Sequence, residues 1–187
     1  MRPRLRLGFL PALLIVSILG LSPSSARAES KACQHIRVGA KAPPLALLLP
    51  SGMDVLSLRA ALAKKLPVVL SFWAWHCHPC LRELPMLQKV AGDLRGHATF
   101  LLVHVGPESK MLPKLAALHV TLPSAADRSS TKADAYCAKT LPRTFVVDRT
   151  GTIRDIFTSL TEPKLRHALA RLGAVVPTDA RASASRH

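Results

Sequence analysis

Apolar and polar positions follow one another along the chain in short blocks that switch between the strand and the helix period. Nearly continuous apolar runs at 68–74 and 99–105 are typical of strands that are buried on both faces. Between them, apolar residues recur every three or four positions from Cys80 to about Leu94, which predicts an amphipathic helix. Strands that alternate with helices in this way indicate a layered α/β domain.

The remaining blocks predict smaller elements around these three. Two short apolar runs separated by Pro50-Ser51-Gly52 predict a β-hairpin, and the turn residues 148–151 join two further strands. A capping hydroxyl followed by a proline at 161–163 marks the start of the last helix. The predicted elements are hairpin strands at 45–49 and 54–58, helices at 59–65, 109–118 and 131–139, and strands at 144–147 and 152–157.

The first 28 residues form a segment of a different kind. Three arginines precede an apolar run at 7–21, and a stretch of small residues then ends in Ala26-Arg27-Ala28, which is the pattern of a secretory signal. The apolar run contains Pro11 and is shorter than the roughly twenty residues that a membrane-spanning helix needs. We therefore expect residues 1–28 to be an export signal, with an uncleaved membrane anchor as the alternative.

The rest of the chain has the length and the apolar content of one domain, which we place at 29–176, followed by a small, polar, disordered tail at 177–187. The 26 Lys and Arg residues outnumber the 11 Asp and Glu residues, giving a formal charge of +15. These basic residues are spread singly and form no block of five, so nucleic acid is not an expected partner. The excess fits a solvated basic surface that admits association with anionic lipid head groups.

The candidate chemistry lies in the sequence Cys77-His78-Pro79-Cys80, where the strand at 68–74 gives way to a helix. A thiolate at a helix N-terminus meets unpaired backbone N–H groups and the positive end of the helix dipole. We therefore expect Cys77 to be the sulfur that attacks disulfides. Cys80, one turn further on, is expected to be the shielded resolving thiol.

A structural disulfide and a metal site are the alternatives for this motif. A zinc site would need a second cysteine pair of similar spacing, whereas Cys33 and Cys137 are far apart in the sequence. A copper-binding chaperone that uses Cys77, Cys80 and a neighbouring histidine, His76 or His78, stays open. We predict redox chemistry by the cysteine pair itself, with no metal and no other cofactor.

Several segments together carry a resemblance to a known family. Phe72-Trp73-Ala74, the two cysteines and Pro85, eight residues after the first of them, resemble the thioredoxin superfamily. The segments 38–43, 136–142 and 145–151 are similar to its TlpA/ResA branch of exported, membrane-associated thiol-disulfide oxidoreductases. The resemblance covers about residues 38–172. It implies a thioredoxin-like fold, in which a central mixed sheet is flanked by helices and extended by an N-terminal β-hairpin.

The resemblance also implies a docking surface for client peptides. Pro142 would be the cis proline whose loop faces the cysteine pair, and the alternative is a trans proline that merely starts a strand. The residues implied to line this surface are Trp75, His78, Pro79, Leu141 and Pro142.

Two further positions concern proton handling and redox balance. Glu83 matches the acidic residue that this branch carries three positions after its second cysteine, where a carboxylate could take up the proton of the resolving thiol. Alternatively, it is an acid in the first helical turn that merely favours the helix dipole. Ser71 stands where thioredoxins proper carry a buried acid. A protonated His78 would stabilise the Cys77 thiolate and make the couple more oxidising.

The remaining cysteines, Cys33 and Cys137, are expected to form a second, structural disulfide, with a buried inert thiol as the alternative for Cys137. The function implied by the resemblance is that of an extracytoplasmic, periplasmic reductant supplied with electrons by a membrane thiol-disulfide carrier. Its clients would be apocytochrome c cysteines or copper-site assembly proteins. A disulfide-forming oxidant is the alternative direction of the same chemistry.

Overall fold

The computed structural model describes residues 33–174. The predicted signal at 1–28 and the predicted tail at 177–187 lie outside the described residues, as do both predicted domain boundaries. In chain order the elements are β1 Ala46–Leu48, β2 Val55–Ser57, α1 Leu58–Ala63, β3 Val68–Trp73, α2 His78–Asp93, β4 Thr99–Val105, α3 Glu108–Ala117, β5 Ser124–Asp127, α4 Thr131–Ala135, β6 Arg143–Val147, β7 Ile153–Phe157 and α5 Glu162–Ala170.

The central sheet has the strand order β5-β4-β3-β6-β7. Strands β3, β4 and β5 run parallel to one another, whereas β6 is antiparallel to β3 and β7 is antiparallel to β6. Strands β1 and β2 form a separate antiparallel hairpin. The prediction of an α/β fold with a mixed central sheet, flanking helices and an N-terminal hairpin is thus confirmed.

Strand β3 lies at the centre of this sheet, and all six of its residues are buried. Because side chains alternate along a strand, Val69 and Trp73 pack on one face of the sheet, and Leu70 and Phe72 pack on the other. Each face therefore has its own apolar core, and burial of each large side chain contributes about 1.5–3 kcal/mol. This two-sided burial fixes the end of β3, from which the cysteine segment departs.

Helix α2 begins at His78, two residues before the predicted start, because Cys77 caps it and Pro79 occupies its first turn. One face of the helix is buried against the core that contains Trp73, and an ion pair between Lys89 and Glu162 joins its outer side to α5. The buried residues of α2 are Cys80, Glu83, Leu84, Leu87 and Val90.

Two further elements differ from the sequence prediction. Strand β5, Ser124–Asp127, was not predicted, because its small residues carry neither an apolar run nor an alternating pattern. Helix α4 ends at Ala135 and not at Lys139, because Cys137 has a left-handed backbone with φ of +50° that a helix cannot contain.

The N-terminal segment before β1 contacts the end of α4 through one disulfide and two hydrogen bonds. Cys33 forms a disulfide with Cys137, 104 residues later. The His35 Nε2 donates a hydrogen bond to the Ala135 carbonyl over 3.0 Å. The buried Tyr136 hydroxyl donates to the Pro43 carbonyl over 2.6 Å. Within residues 33–174, no helix has the length and apolar character needed to cross a membrane.

Candidate active site

The segment that carries the cysteines is a tight turn between β3 and α2. The Cys77 N–H donates to the Ala74 carbonyl over 3.1 Å, and the Cys77 carbonyl accepts from the Leu81 N–H, also over 3.1 Å. The Cys77 sulfur accepts the Cys80 N–H over 3.3 Å, in the position of a helix cap. The structure therefore places this sulfur against the free N–H groups of the first turn, where negative charge is favoured.

The two sulfurs of the motif form a disulfide. Cys80 is 1% exposed and belongs to the core, whereas Cys77 is only partly buried. A disulfide or thiol of another protein can therefore reach the Cys77 sulfur but not that of Cys80. The geometry suits a division between an attacking and a resolving thiol.

The surface around Cys77 consists of exposed side chains from the turn and from the start of α2. Trp75 is 38% exposed, with the Lys110 ammonium 5.5 Å above its ring and the His76 ring edge-on at 5.2 Å. His78 and Pro79 are exposed on the other side of Cys77. An aromatic ring flanked by basic groups thus lies next to the accessible sulfur.

The loop before β6 reaches the same end of the sheet. Because β3 and β6 are antiparallel with Phe72 opposite Arg143, Pro142 falls opposite Trp73, where β3 ends. The peptide bond between Leu141 and Pro142 is cis. Pro142 is buried. Leu141 is half-buried and packs against the cores on both faces of the sheet. The structure thus brings this loop to the cysteine end of β3.

Glu83 lies one turn beyond Cys80 with its carboxyl group buried. Its Oε1 accepts the Leu160 N–H over 2.8 Å, and its Oε2 has no hydrogen-bond partner among the described residues. Burial raises the pKa of Glu83, and the hydrogen bond from Leu160 and the charge of Arg82 oppose this only in part. Such a carboxyl group can exchange a proton at a higher pH than an exposed one.

Glu83 also faces a small cleft of about 180 Å³, lined by Pro79, Arg82, Met86, Ser159 and Leu160. Because α2 begins at His78, Glu83 falls in the second turn, and the first turn contains no acid. The alternative that Glu83 merely favours the dipole from the first turn is therefore wrong.

The buried position at which thioredoxins proper carry an acid is Ser71, whose hydroxyl shares a 2.8 Å hydrogen bond with Thr144. Each of these buried hydroxyl groups thus has the other as its hydrogen-bond partner, and neither is an acid like the one in thioredoxins proper. Within residues 33–174, Glu83 is the acidic residue that is buried on the same side of α2 as Cys80, one helical turn away.

His104 in β4 also contacts this site, which the sequence did not indicate, because a histidine inside an apolar strand is more often a satisfied core group than a functional one. Its Nε2 accepts the Trp75 N–H over 3.2 Å. Its Nδ1 is buried and has no hydrogen-bond partner within residues 33–174. Nothing in the sequence indicates a contact between positions 75 and 104, because only the pairing of β3 with β4 brings them together.

The histidines beside Cys77 do not assemble a metal site in the described part of the chain. No three His, Cys, Asp or Glu side chains in residues 33–174 are grouped so that they could hold a metal ion. Thiolates are soft ligands that suit Cu(I), so a copper chaperone would have the two thiols of Cys77 and Cys80 as its ligands in this part of the chain.

The fold and the cysteine pair together define a thiol-disulfide oxidoreductase, an enzyme that exchanges electrons through its own disulfide without another cofactor. The chain belongs to the AhpC/TSA family, whose model matches residues 38–156. The resemblance to the thioredoxin-like TlpA/ResA group is confirmed.

Among curated proteins, the chain is 29% identical over 153 residues to the thioredoxin-like protein YneN of Bacillus subtilis, covering 79% of this chain and 88% of YneN. It is 32% identical over 93 residues to the thiol-disulfide oxidoreductase ResA of Geobacillus kaustophilus, covering 49% of this chain and 53% of that relative.

Among solved structures, it resembles a secreted Mycobacterium tuberculosis disulfide oxidoreductase that is homologous to E. coli DsbE. The TM-score is 0.60 at 19% identity, and the match covers 68% of this chain and 96% of the other. At this level of identity, the likeness concerns the fold.

Proposed function

We propose that this enzyme reduces disulfides of client proteins outside the cytoplasm. The observation that carries the proposal is the asymmetry of the pair: the Cys77 sulfur is accessible and caps a helix, whereas Cys80 is 1% exposed beside a buried carboxyl group. This arrangement fits an enzyme that attacks with one thiol and resolves with the other.

The proposed cycle begins with both cysteines reduced. The Cys77 thiolate attacks one sulfur of the client disulfide, the client S–S bond breaks, and the other client sulfur leaves as a thiolate that takes a proton from solvent. Cys80 then gives its proton to the Glu83 carboxylate, and its thiolate attacks the Cys77 sulfur. The mixed disulfide breaks, and the second client sulfur leaves as a thiolate that takes up the proton from Glu83, which gives the client its second thiol and restores the carboxylate.

Each cycle transfers two electrons to the client and leaves the disulfide between Cys77 and Cys80. We propose that a membrane thiol-disulfide carrier returns the pair to the dithiol state. Trp75, His78, Pro79, Leu141 and Pro142 are the proposed contacts to the client peptide, since they lie on the turn, on the start of α2 and on the loop that meets the end of β3.

The proposed location is the periplasm or another extracytoplasmic space, reached through the signal at 1–28, with retention of that segment as a membrane anchor as the alternative. The arginines, the apolar run and the Ala26-Arg27-Ala28 sequence of this segment support the location. Apocytochrome c and copper-site assembly proteins are the proposed clients, because both must keep their cysteines reduced in an oxidising compartment.

One observation favours the opposite direction, in which the enzyme forms disulfides in its clients. His78 is exposed inside the motif, next to the accessible sulfur, and a protonated imidazole there would stabilise the Cys77 thiolate. Stabilising the reduced form makes the couple more oxidising. We retain a disulfide-forming oxidant as the second candidate function.

Trapping of the mixed disulfide tests the proposal. The Cys80→Ser variant, expressed in cells as the full chain, should accumulate adducts through Cys77 that separate on treatment with reductant. The Cys77→Ser variant and the double variant should yield none. If Cys77→Ser alone forms adducts, the assigned roles of the two thiols are wrong. Retention of stoichiometric copper by the wild type, lost in the double variant, would favour the copper chaperone instead.

A further inference from the structure

His104 lies in β4 directly opposite Trp73 of β3, close to the end of the sheet that carries the cysteines. It is fully buried, and its ring packs edge-on against that of Trp73 with a centroid distance of 4.7 Å. Another side of the ring packs closely against Gly106. A Cβ at Gly106 would lie only 3.3 Å from the His104 Cε1 atom, so the lack of a side chain there leaves room for the imidazole. Packing therefore fixes the orientation of the imidazole.

In that orientation, the ring fastens the turn that precedes Cys77. The Trp75 N–H donates to the His104 Nε2 over 3.2 Å, and Trp75 is the second residue of the turn closed between Ala74 and Cys77. An Nε2 that accepts has no proton of its own, so the neutral ring carries its proton on Nδ1. The hydrogen bond joins β4 to the backbone two residues before the accessible sulfur.

We propose that His104 is a positioning residue for the redox reaction, whose neutral imidazole holds the Trp75 backbone and thereby orients the Cys77 sulfur and the exposed Trp75 ring towards a client. The inference rests on the thiol chemistry proposed above for Cys77, but not on the direction of electron flow.

Protonation of His104 would release the turn. The second proton would enter at Nε2, where it would point at the Trp75 N–H, and two donors cannot bond each other. Burial lowers the pKa of His104, an interaction with the Gly106 backbone partly opposes this, and the charge of His76 lowers it further. The neutral, accepting form is therefore favoured near neutral pH.

The other charged groups described on the elements around His104 form no hydrogen bond with its ring. They therefore do not stabilise the protonated imidazole by such a bond. Lys110 of α3 lies over the Trp75 ring, and the Asp127 carboxylate accepts N–H groups of α4. The ionisable groups at the start of α2 are His78, Arg82 and Glu83.

Three substitutions separate the acceptor from the bulk of the ring. His104→Gln places an amide oxygen near the position of Nε2 and does not titrate. His104→Asn is shorter and places its amide near the position of Nδ1, out of reach of Trp75. His104→Leu fills the space without an acceptor. The reduced full chain is mixed with oxidised glutathione from about pH 5 to about pH 8, and the rate is followed by tryptophan fluorescence.

At neutral pH, we expect His104→Leu and His104→Asn to react about three- to tenfold more slowly than the wild type, which is the effect of one net hydrogen bond. His104→Gln should stay within about twofold of the wild type. The rate of the wild type should fall at acid pH in part because His104 is protonated. The rate of His104→Gln should not show this part of the fall. Equal rates in all four proteins would overturn the proposal, as would a Gln variant as slow as the Leu variant.

A measurement on the wild type keeps the proposal testable if a variant does not fold. The ¹⁵N spectrum of the imidazole should show the proton on Nδ1, and the Trp75 amide resonance should shift as His104 takes up its second proton. A neutral ring with its proton on Nε2 would overturn the inference. A wild type that does not react with glutathione disulfide would instead refute the proposed function, and the spectrum would still decide the place of His104.

Discussion

The Glu83 carboxyl group accepts a 2.8 Å hydrogen bond from the backbone N–H of Leu160, 77 residues further along the chain. The bond joins α2 to the segment before α5 and leaves Oε2 without a partner. One residue thus has two separable properties, an acceptor that supports the fold and an ionisable oxygen that can serve Cys80.

Two substitutions at Glu83 should separate these properties. Glu83→Gln keeps the acceptor for Leu160 but cannot take a proton, so we expect resolution of the mixed disulfide by Cys80 to slow by about tenfold or more without loss of stability. Glu83→Leu should also lose about 1–3 kcal/mol of unfolding free energy, because the buried Leu160 N–H is left unpaired. Quenched-flow separation of the adduct and urea unfolding measure the two effects. Equal resolution rates in Glu83→Gln and the wild type would exclude Glu83 as the base.

The raised pKa of Glu83 predicts the pH dependence. Resolution needs the carboxylate, so its rate should fall as the pH falls through that raised pKa and should lose this component in Glu83→Gln. Stability should change in the opposite sense. The native state holds the proton more tightly than the unfolded chain, whose Glu pKa is 4.5, so the stability that protonated Glu83 contributes is lost as the pH rises from 4.5 through the folded pKa.

The disulfide between Cys33 and Cys137 should contribute to stability and not to turnover. It closes a loop over 104 residues, so replacing both cysteines by serine should lower the unfolding free energy by about 2–4 kcal/mol. Urea unfolding with the Cys77 pair kept oxidised measures the loss. Alkylation of both cysteines in the native oxidised protein would show that the bond is absent in solution.

A glycine variant provides a matched control for this loss. Cys137 has a φ of +50°, which glycine adopts without a steric penalty. A left-handed backbone costs serine about 1–2 kcal/mol, and the greater freedom of glycine in the unfolded chain offsets about half of this difference. Cys137→Gly combined with Cys33→Ser should therefore be about 0.5–1 kcal/mol more stable than the double serine variant. A glycine variant less stable than the serine variant would contradict this account of the backbone.

The reduction potential should respond to His78. If a protonated imidazole stabilises the Cys77 thiolate, His78→Gln should make the couple more reducing by about 30–60 mV, which is one to two factors of ten in the equilibrium constant. Titration of the full chain against glutathione buffers measures the shift. His76→Gln, a similar exposed histidine on the other side of Cys77, is the control and should shift the potential less.

The absolute potential decides between the two proposed directions. A wild-type value near or below about −220 mV supports the reductant, whereas a value near about −120 mV supports the disulfide-forming oxidant.

Asp148 should govern part of the acid sensitivity. Burial raises its pKa, but hydrogen bonds from Thr150, Thr152 and Arg154 outweigh burial and hold the pKa of Asp148 well below its usual range. The stability that ionised Asp148 contributes is present above its unfolded pKa of 3.8 and is lost as the pH falls below that value.

Asp148→Asn tests this contribution. The variant should lose about 1–3 kcal/mol at neutral pH, and its difference from the wild type should shrink below pH 3.8. Unfolding by urea at neutral and acid pH gives both values. Asp155→Asn removes an exposed ion pair to Arg171 and should cost less than about 1 kcal/mol. An Asp148→Asn effect that is constant with pH would contradict the prediction.

The central elements could be predicted because their signals are local. The apolar run predicts that β3 is buried, and the apolar spacing of three and four residues predicts the buried face of α2. The cysteine motif lies at the junction of these two elements. Strand β5 could not be predicted, because it owes its place to pairing with β4 and not to its own small residues.

The parts of the site that could not be predicted depend on contacts between distant residues. Glu83 could be assigned to the turn after Cys80, but nothing near it indicated that the backbone of Leu160 would bind one oxygen and leave the other unpaired. His104 could be placed in a strand, yet its bond to Trp75 depends on the register between β3 and β4.

The N-terminal hairpin has a consequence for the behaviour of the protein at high concentration. β5 forms one edge of the central sheet, and the groove along it is lined by residues 126–129 and by β1. An open edge offers unpaired N–H and carbonyl groups to the strands of other molecules, and such edges promote aggregation. By occupying this side of the sheet, the hairpin would protect the enzyme from edge-to-edge association with its own copies.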